Sequence, residues 1–201
     1  MVAEFMNCPY LFIEEQIKLM EKSNQYIAFL RGINVGGRHK VPMKELSDQM
    51  AKLGYSSIVT ILNSGNIIFT APLKGEQDME DELSAHLEKV FGFPIPVIIR
   101  NAEAIKALMS HNPFKDVVVT KDTRLYVTFL KDIPKKKVTL PYFSDDKSFS
   151  ITDEQDKTVC SILDLSINSS PKVMEALEEL FGKNITTRNW NTVMKIGAKL
   201  H

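Results

Sequence analysis

The chain has 201 residues, 44% apolar and 25% charged, with 25 basic and 25 acidic side chains and a formal net charge of zero. That length suits one large domain or two small ones, and the balance speaks against a protein held to nucleic acid by bulk charge. No apolar run approaches the ~20 residues of a membrane-spanning helix, and two cysteines, Cys8 and Cys160, are too few for a disulfide framework, so a cytoplasmic protein with free thiols and no membrane contact is expected.

The first residues carry acids where a secretory signal carries basic ones. "FIEEQIKLMEKS" is amphipathic and reads as an extra helix, unless translation starts at Met20. "YIAFLR" (Tyr26–Arg31) is a continuous apolar run, the mark of a strand covered on both sides or lying mid-sheet. Met43, Leu46, Met50 and Leu53 recur at helical spacing after Pro42, which suits a helix start. "SIVTIL" and "NIIFTA" flank "NSG" as a hairpin. Met79, Leu83, Leu87, Val90 and Phe91 form a second helical stripe, and "PIPVIIR" reads as a strand. The order is β-α-β-β-α-β, the split βαβ of ferredoxin-like folds.

The second half reads the same way. "RLYVTFLK" is a strand, and a short helix is expected to cross the sheet within Pro134–Lys147. "SFSIT" and "TVCSILDL" pair around "DEQDK", with Cys160 as inert core. Val173, Met174, Leu177, Leu180 and Phe181 form a helical stripe, and "NITTR" closes the set as a strand. The repeat shows in letters too. "YIAFLR" matches "YVTFLK", "LEKVFG" matches "LEELFG", and each half then has a strand ending in Arg-Asn, at Arg100-Asn101 and Arg188-Asn189. The expected fold class is α+β, with duplicated ferredoxin-like βαββαβ (α-β plait) units and antiparallel sheets. The expected organisation is an N-terminal extension over residues 1–24, a first subdomain with its linker helix over 25–113, and a second with a C-terminal helix over 114–201.

This topology sets the end of the first strand beside the β2–β3 turn. "RGINVGG" and "NSGN" should therefore meet on one rim, bringing together Arg31, Gly32, Asn34, Gly36, Gly37, Arg38, His39, Lys40, Ser64, Gly65 and Asn66. Glycines let backbone N–H groups approach a ligand, successive N–H groups can form anion nests, and the helix after Pro42 points its positive end at the same loop. A phosphate- or carboxylate-bearing small molecule, or a nucleotide, would suit such a rim. The competing reading is that Gly36-Gly37 only turns the chain and Gly65 only closes a hairpin. Arg38-His39 stands where a P-loop has Lys-Ser/Thr, and G-x-G-x-x-G is absent.

A second group of candidates lies near the C-terminus: Arg188, Asn189, Asn191 and Lys195. Trp190 among them has the helical spacing of a core residue, and Asn189 or Asn191 could cap the last helix. The four histidines have no metal-ligand spacing, so no metal is expected. No nucleophile or acid–base pair identifies a reaction, and no cofactor is indicated. Two other function classes stay open. A nucleic-acid-binding module is disfavoured, because no glycine-aromatic motif of the RNA-binding sheets is present. A protein-interaction scaffold would bury its two sheets against each other or a partner.

"YIAFLRGINVGGRHKVPMKEL", "LNSGNIIF", "FGFPIPVIIR" and "RNWNTVMKI" together resemble the bacterial family catalogued as domain of unknown function 1697, over about Gln25 to Leu200. The resemblance implies two ferredoxin-like subdomains. Its characteristic positions fall here on Arg31, Gly32, Asn34, Gly36, Gly37, Ser64, Gly65, Asn66, Asn191 and Lys195, and it supplies no activity.

Overall fold

The computed structural model describes residues 23–134 and 137–201. The helix expected in "FIEEQIKLMEKS", together with Cys8, Lys135 and Lys136, lies outside the described residues, apart from Ser23. The elements run β1 (Ser23–Leu30), α1 (Met43–Lys52), β2 (Ser56–Ile61), β3 (Asn66–Pro72), α2 (Glu76–Phe91), β4 (Val97–Asn101) and α3 (Ala102–His111). There follow β5 (Thr123–Leu130), β6 (Tyr142–Phe143), β7 (Phe149–Gln155), β8 (Thr158–Asp164), α4 (Ser170–Phe181), β9 (Ile185–Asn189) and α5 (Trp190–Gly197).

Two antiparallel sheets result. The first has the order β2-β3-β1-β4, the second β6-β7-β8-β5-β9. The continuous apolar runs form central strands because both faces of each sheet are covered. On the inner faces Ile27, Phe29, Ile68 and Ile98 meet Val127, Phe129 and Cys160, with α3 and α5 adding Ile105, Trp190, Val193 and Ile196. The rings of Phe29 and Phe129 stack with centroids 4.2 Å apart. Trp190 is core, edge-on to Phe114. On the outer face of the first sheet Tyr26, Ala28 and Leu30 pack under Leu46 and Met50 of α1 and Met79, Leu83 and Leu87 of α2. The outer face of the second sheet packs under α4 through Val173 and Leu177.

The crossing helix expected within Pro134–Lys147 is absent from the described part of that segment. The two-residue strand β6 pairs there with the edge of β7 instead. The segment carries Pro134 and Pro141, which lack an N–H donor, and its apolar residues show no 3.6-residue period. The first sheet is thus roofed by two helices and the second by one.

Side chains from each half reach into the other. Arg100 on β4 donates to the carbonyl of Leu130 at the end of β5, and Arg188 on β9 donates to that of Leu30 at the end of β1, the latter at 2.6 Å. The guanidinium of Arg100 lies 6.0 Å from the Phe129 ring centre and that of Arg188 lies 5.6 Å from the Phe29 ring centre. Arg31 pairs with Glu178 on α4, and Lys131 pairs with Asp81 on α2 at 2.7 Å. Helices α3 and α5 meet where Gly197 faces Met109: a Cβ on Gly197 would lie 1.7 Å from the Met109 sulfur. Each half therefore gives the other the same kinds of contact, as in an isologous interface.

Candidate functional site

The "GINVGG" and "NSGN" loops meet. Phe29 is paired with Asn66, and the Leu30 N–H donates to the Gly65 carbonyl at 2.8 Å. Gly65 has φ +73°, and a Cβ there would lie 2.7 Å from Leu30 Cβ and 2.9 Å from Ile33 Cδ1, so the loops close this tightly only on glycine. Asn34 clamps them together. Its amide nitrogen donates to the carbonyls of Val41 (3.0 Å) and Asn63 (2.9 Å), and its oxygen accepts from the Val41 N–H at 2.9 Å. Asn66 is fully buried. Its amide nitrogen donates to Ile61 O and Ser64 Oγ, both at 3.0 Å, and its oxygen accepts from Arg188 Nε at 2.6 Å. Both asparagines read as ligand donors in the sequence are thus committed to holding the rim in shape.

The cations divide between two sides. Arg31 turns away from its loop to Glu178 and to the Lys183 carbonyl. With Gly32, Ser64 and Arg188 it lines a cleft of about 260 Å³ between the halves. Lys40 lines a separate open hollow of about 440 Å³ with Asn34, Gly37, Pro42, Met43 and Asn63. Helix α1 begins at that hollow, and no side chain caps its start. Arg38 and Lys40 are exposed, and their side chains form no hydrogen bond or ion pair among the described residues. His39 stacks on Phe93 at 4.5 Å, with Nδ1 3.2 Å from the Gly32 carbonyl oxygen. Gly36 and Gly37 both hold the left-handed conformation that turns the loop.

Arg188 uses every donor it has. Nε goes to Asn66, Nη1 to Thr186 Oγ1 (2.7 Å) and Thr187 O (2.9 Å), and Nη2 to Leu30 O (2.6 Å) and Ser64 O (3.4 Å). Burial lowers its guanidinium to about 10, so it stays charged at neutral pH. Asn189 caps α5 by accepting from the Asn191 N–H at 2.9 Å. Asn191 and Lys195 are exposed on α5 and make no hydrogen bond or ion pair to the rim among the described residues. Burial pushes the Cys160 thiol up to about 12, which leaves it unreactive. Among the described residues no three His, Cys, Asp or Glu side chains converge as metal ligands, and no helix is long and apolar enough to cross a membrane. The sequence reading missed Glu178 and Lys183, which meet Arg31, and Lys131, which meets Asp81, because these contacts depend on how the halves pack.

A family model described as a protein of unknown function, DUF1697, matches residues 23–157. The chain belongs to this family. None of the curated proteins matches it. A solved structure of a conserved bacterial protein from Streptococcus pneumoniae is similar, with a TM-score of 0.63 and 21% identity, covering 88% of this chain and 98% of that one. At that identity the likeness speaks for the fold of this DUF1697 chain and for nothing beyond it.

Proposed function

We propose that this DUF1697 chain is a cytoplasmic protein that binds a small anion, a phosphate, carboxylate or nucleotide, at the loop edge formed by "GINVGG" and "NSGN". The carrying observation is the hollow beside Lys40, where an ammonium unpaired among the described residues borders the uncapped start of α1. Free N–H groups and a positive dipole end favour an anion there. Arg38, on the same loop, adds charge. Asn34, Gly65 and Asn66 act by fixing the loops rather than by touching the ligand.

The same reading takes residues 25–113 and 114–201 as two copies of one ferredoxin-like unit. Support comes from the matching orders β2-β3-β1-β4 and β7-β8-β5-β9 and from the reciprocal arginines. Nucleic acid is the weaker partner. The sheet faces that stack bases in RNA-binding relatives of this topology are here packed against each other or under helices.

The test is thermal melting with phosphate, sulfate and nucleotides against chloride at matched ionic strength. At 100 times the dissociation constant a ligand of the folded state contributes about 2.7 kcal/mol, a shift on the order of 5–10 °C for a chain this long. The double variant Arg38→Ala, Lys40→Ala should fold normally and lose most of that shift. Equal shifts in wild type and variant would end the reading.

A further inference from the structure

We infer that the seam between the two halves holds a second anion site, one that takes a short dicarboxylate. The site lies where β1 and β5 end. Arg31 follows β1 and Lys131 follows β5. The Arg31 N–H donates to the Pro96 carbonyl and the Lys131 N–H to the Asn184 carbonyl, each at 2.9 Å, so both halves take the same step here. The two steps face each other across a hollow of about 200 Å³. Its walls come from matching positions of the two sheets: Val97 and Ile98 open β4 as Ile185 and Thr186 open β9.

Charge gives the hollow its ligand class. Three cations line it, Arg31, Lys131 and Lys183, and no carboxylate does. Glu178 and Asp81 pair with Arg31 and Lys131 from helices α4 and α2 and stand outside the wall. Lys183 has no ion-pair partner among the described residues, is exposed, and contributes to the lining. Of the three positive charges, that of Lys183 goes unanswered. One carboxylate of the ligand answers Lys183, and the other shares Arg31 or Lys131 with its present partner Glu178 or Asp81. Between the cations Pro96, Val97, Ile98 and Ile185 give the wall an apolar stretch beside the polar Ser84, Asn184 and Thr186, and that stretch suits a hydrocarbon spacer better than a second phosphate. The volume lies below the ~300–1,000 Å³ of sites for drug-sized ligands, so the ligand is small.

This site is separate from the loop hollow. Lys40 and Arg38 take no part in it, and Arg31 lines both it and the cleft shared with Gly32, Ser64 and Arg188.

The test is isothermal titration calorimetry with succinate and glutarate, with acetate and pyrophosphate as comparison ions at matched ionic strength. One of the dicarboxylates should bind, at least about tenfold tighter than acetate and tighter than pyrophosphate. Lys183→Ala, an exposed change that leaves the fold intact, should weaken that binding about tenfold, and Lys131→Met should do the same. Arg38→Ala, Lys40→Ala should leave it unchanged, and Lys183→Ala should leave the phosphate-induced melting shift of the loop hollow unchanged. The melting temperature of each unliganded variant separates loss of binding from loss of fold. If neither dicarboxylate binds, if acetate or pyrophosphate binds as tightly, or if well-folded Lys183→Ala and Lys131→Met bind like wild type, the seam site is wrong.

Discussion

Arg100 crosses from the first sheet to the carbonyl of Leu130, and Arg188 crosses from the second sheet to the carbonyl of Leu30. Each lies over the phenylalanine that precedes that leucine. Their electrostatic surroundings differ. Arg100 has two carboxylates beside it, Glu80 at 3.6 Å and Glu76 at 3.7 Å, both from α2. Arg188 has no carboxylate within ion-pair distance among the described residues, and its charge is spread over carbonyl, amide and hydroxyl oxygens. Burial lowers both guanidinium groups, and at Arg100 the acids work against it. Strand position fixes the bridging, while the roofing helix fixes the charge. Helix α2 aims Glu76 and Glu80 at its own sheet's arginine, whereas Glu178 of α4 goes to Arg31 in the other half.

That difference predicts unequal costs. Arg100→Met leaves the buried Glu80 carboxyl without its cationic partner, so the loss should be about 3–5 kcal/mol, read as a lower urea midpoint at unchanged slope. Arg188→Met leaves no charge behind and orphans only neutral acceptors, so about 1–3 kcal/mol is expected. Arg188→Lys should recover little, because one ammonium cannot span acceptors held for a planar fork. If Arg188→Met proves as costly as Arg100→Met, the distinction drawn from the carboxylates fails.

The smallest effect concerns Glu80 itself. Burial, the main cause, raises its pKa above 4.5, while the Ile99 N–H at 2.8 Å and Arg100 oppose it. The folded chain then holds this proton to a higher pH than the unfolded chain. The resulting contribution to stability is complete below the unfolded value and is lost as pH rises through the folded one. Urea unfolding from pH 4 to 7 should show a flatter profile for Glu80→Gln than for wild type just above pH 4.5. Parallel profiles would mean that Glu80 titrates normally.

Periodicity carried most of the fold. The apolar runs at Tyr26–Leu30 and Leu125–Leu130 became central strands, and the stripes after Pro42 and through Met79–Phe91 became α1 and α2. The described part of Pro134–Lys147 forms no helix although the repeat implies one, because its prolines and its missing 3.6-residue period disfavour a helix there. The meeting of the two loops was legible because strand order alone decides it. The destinations of Arg31 and Glu178 were not, since they are set by packing between distant parts of the chain. The Arg-Asn pair that closes β4 and β9 was visible as a repeat. Its asparagines cap α3 and α5, accepting from Glu103 and Asn191, and its arginines join the halves. A repeated charged residue in an otherwise apolar strand was the signal available.

The contacts across the seam are those two separate molecules would make on forming a symmetric pair, but here residues 102–122 tie one face to the other. Linking two surfaces by a short segment gives an effective concentration on the order of millimolar, whatever the amount of protein in solution. An interface held in this way does not need the large apolar area of an independent dimer. It can keep a water-accessible hollow at its centre, leave Arg188 without a counter-ion among the described residues, and still stay shut on dilution. Each face can also change alone. Arg31 stands opposite Lys131 and Pro96 opposite Asn184, so a molecule lodged on this line meets two unlike ends, as no pair of identical chains could offer.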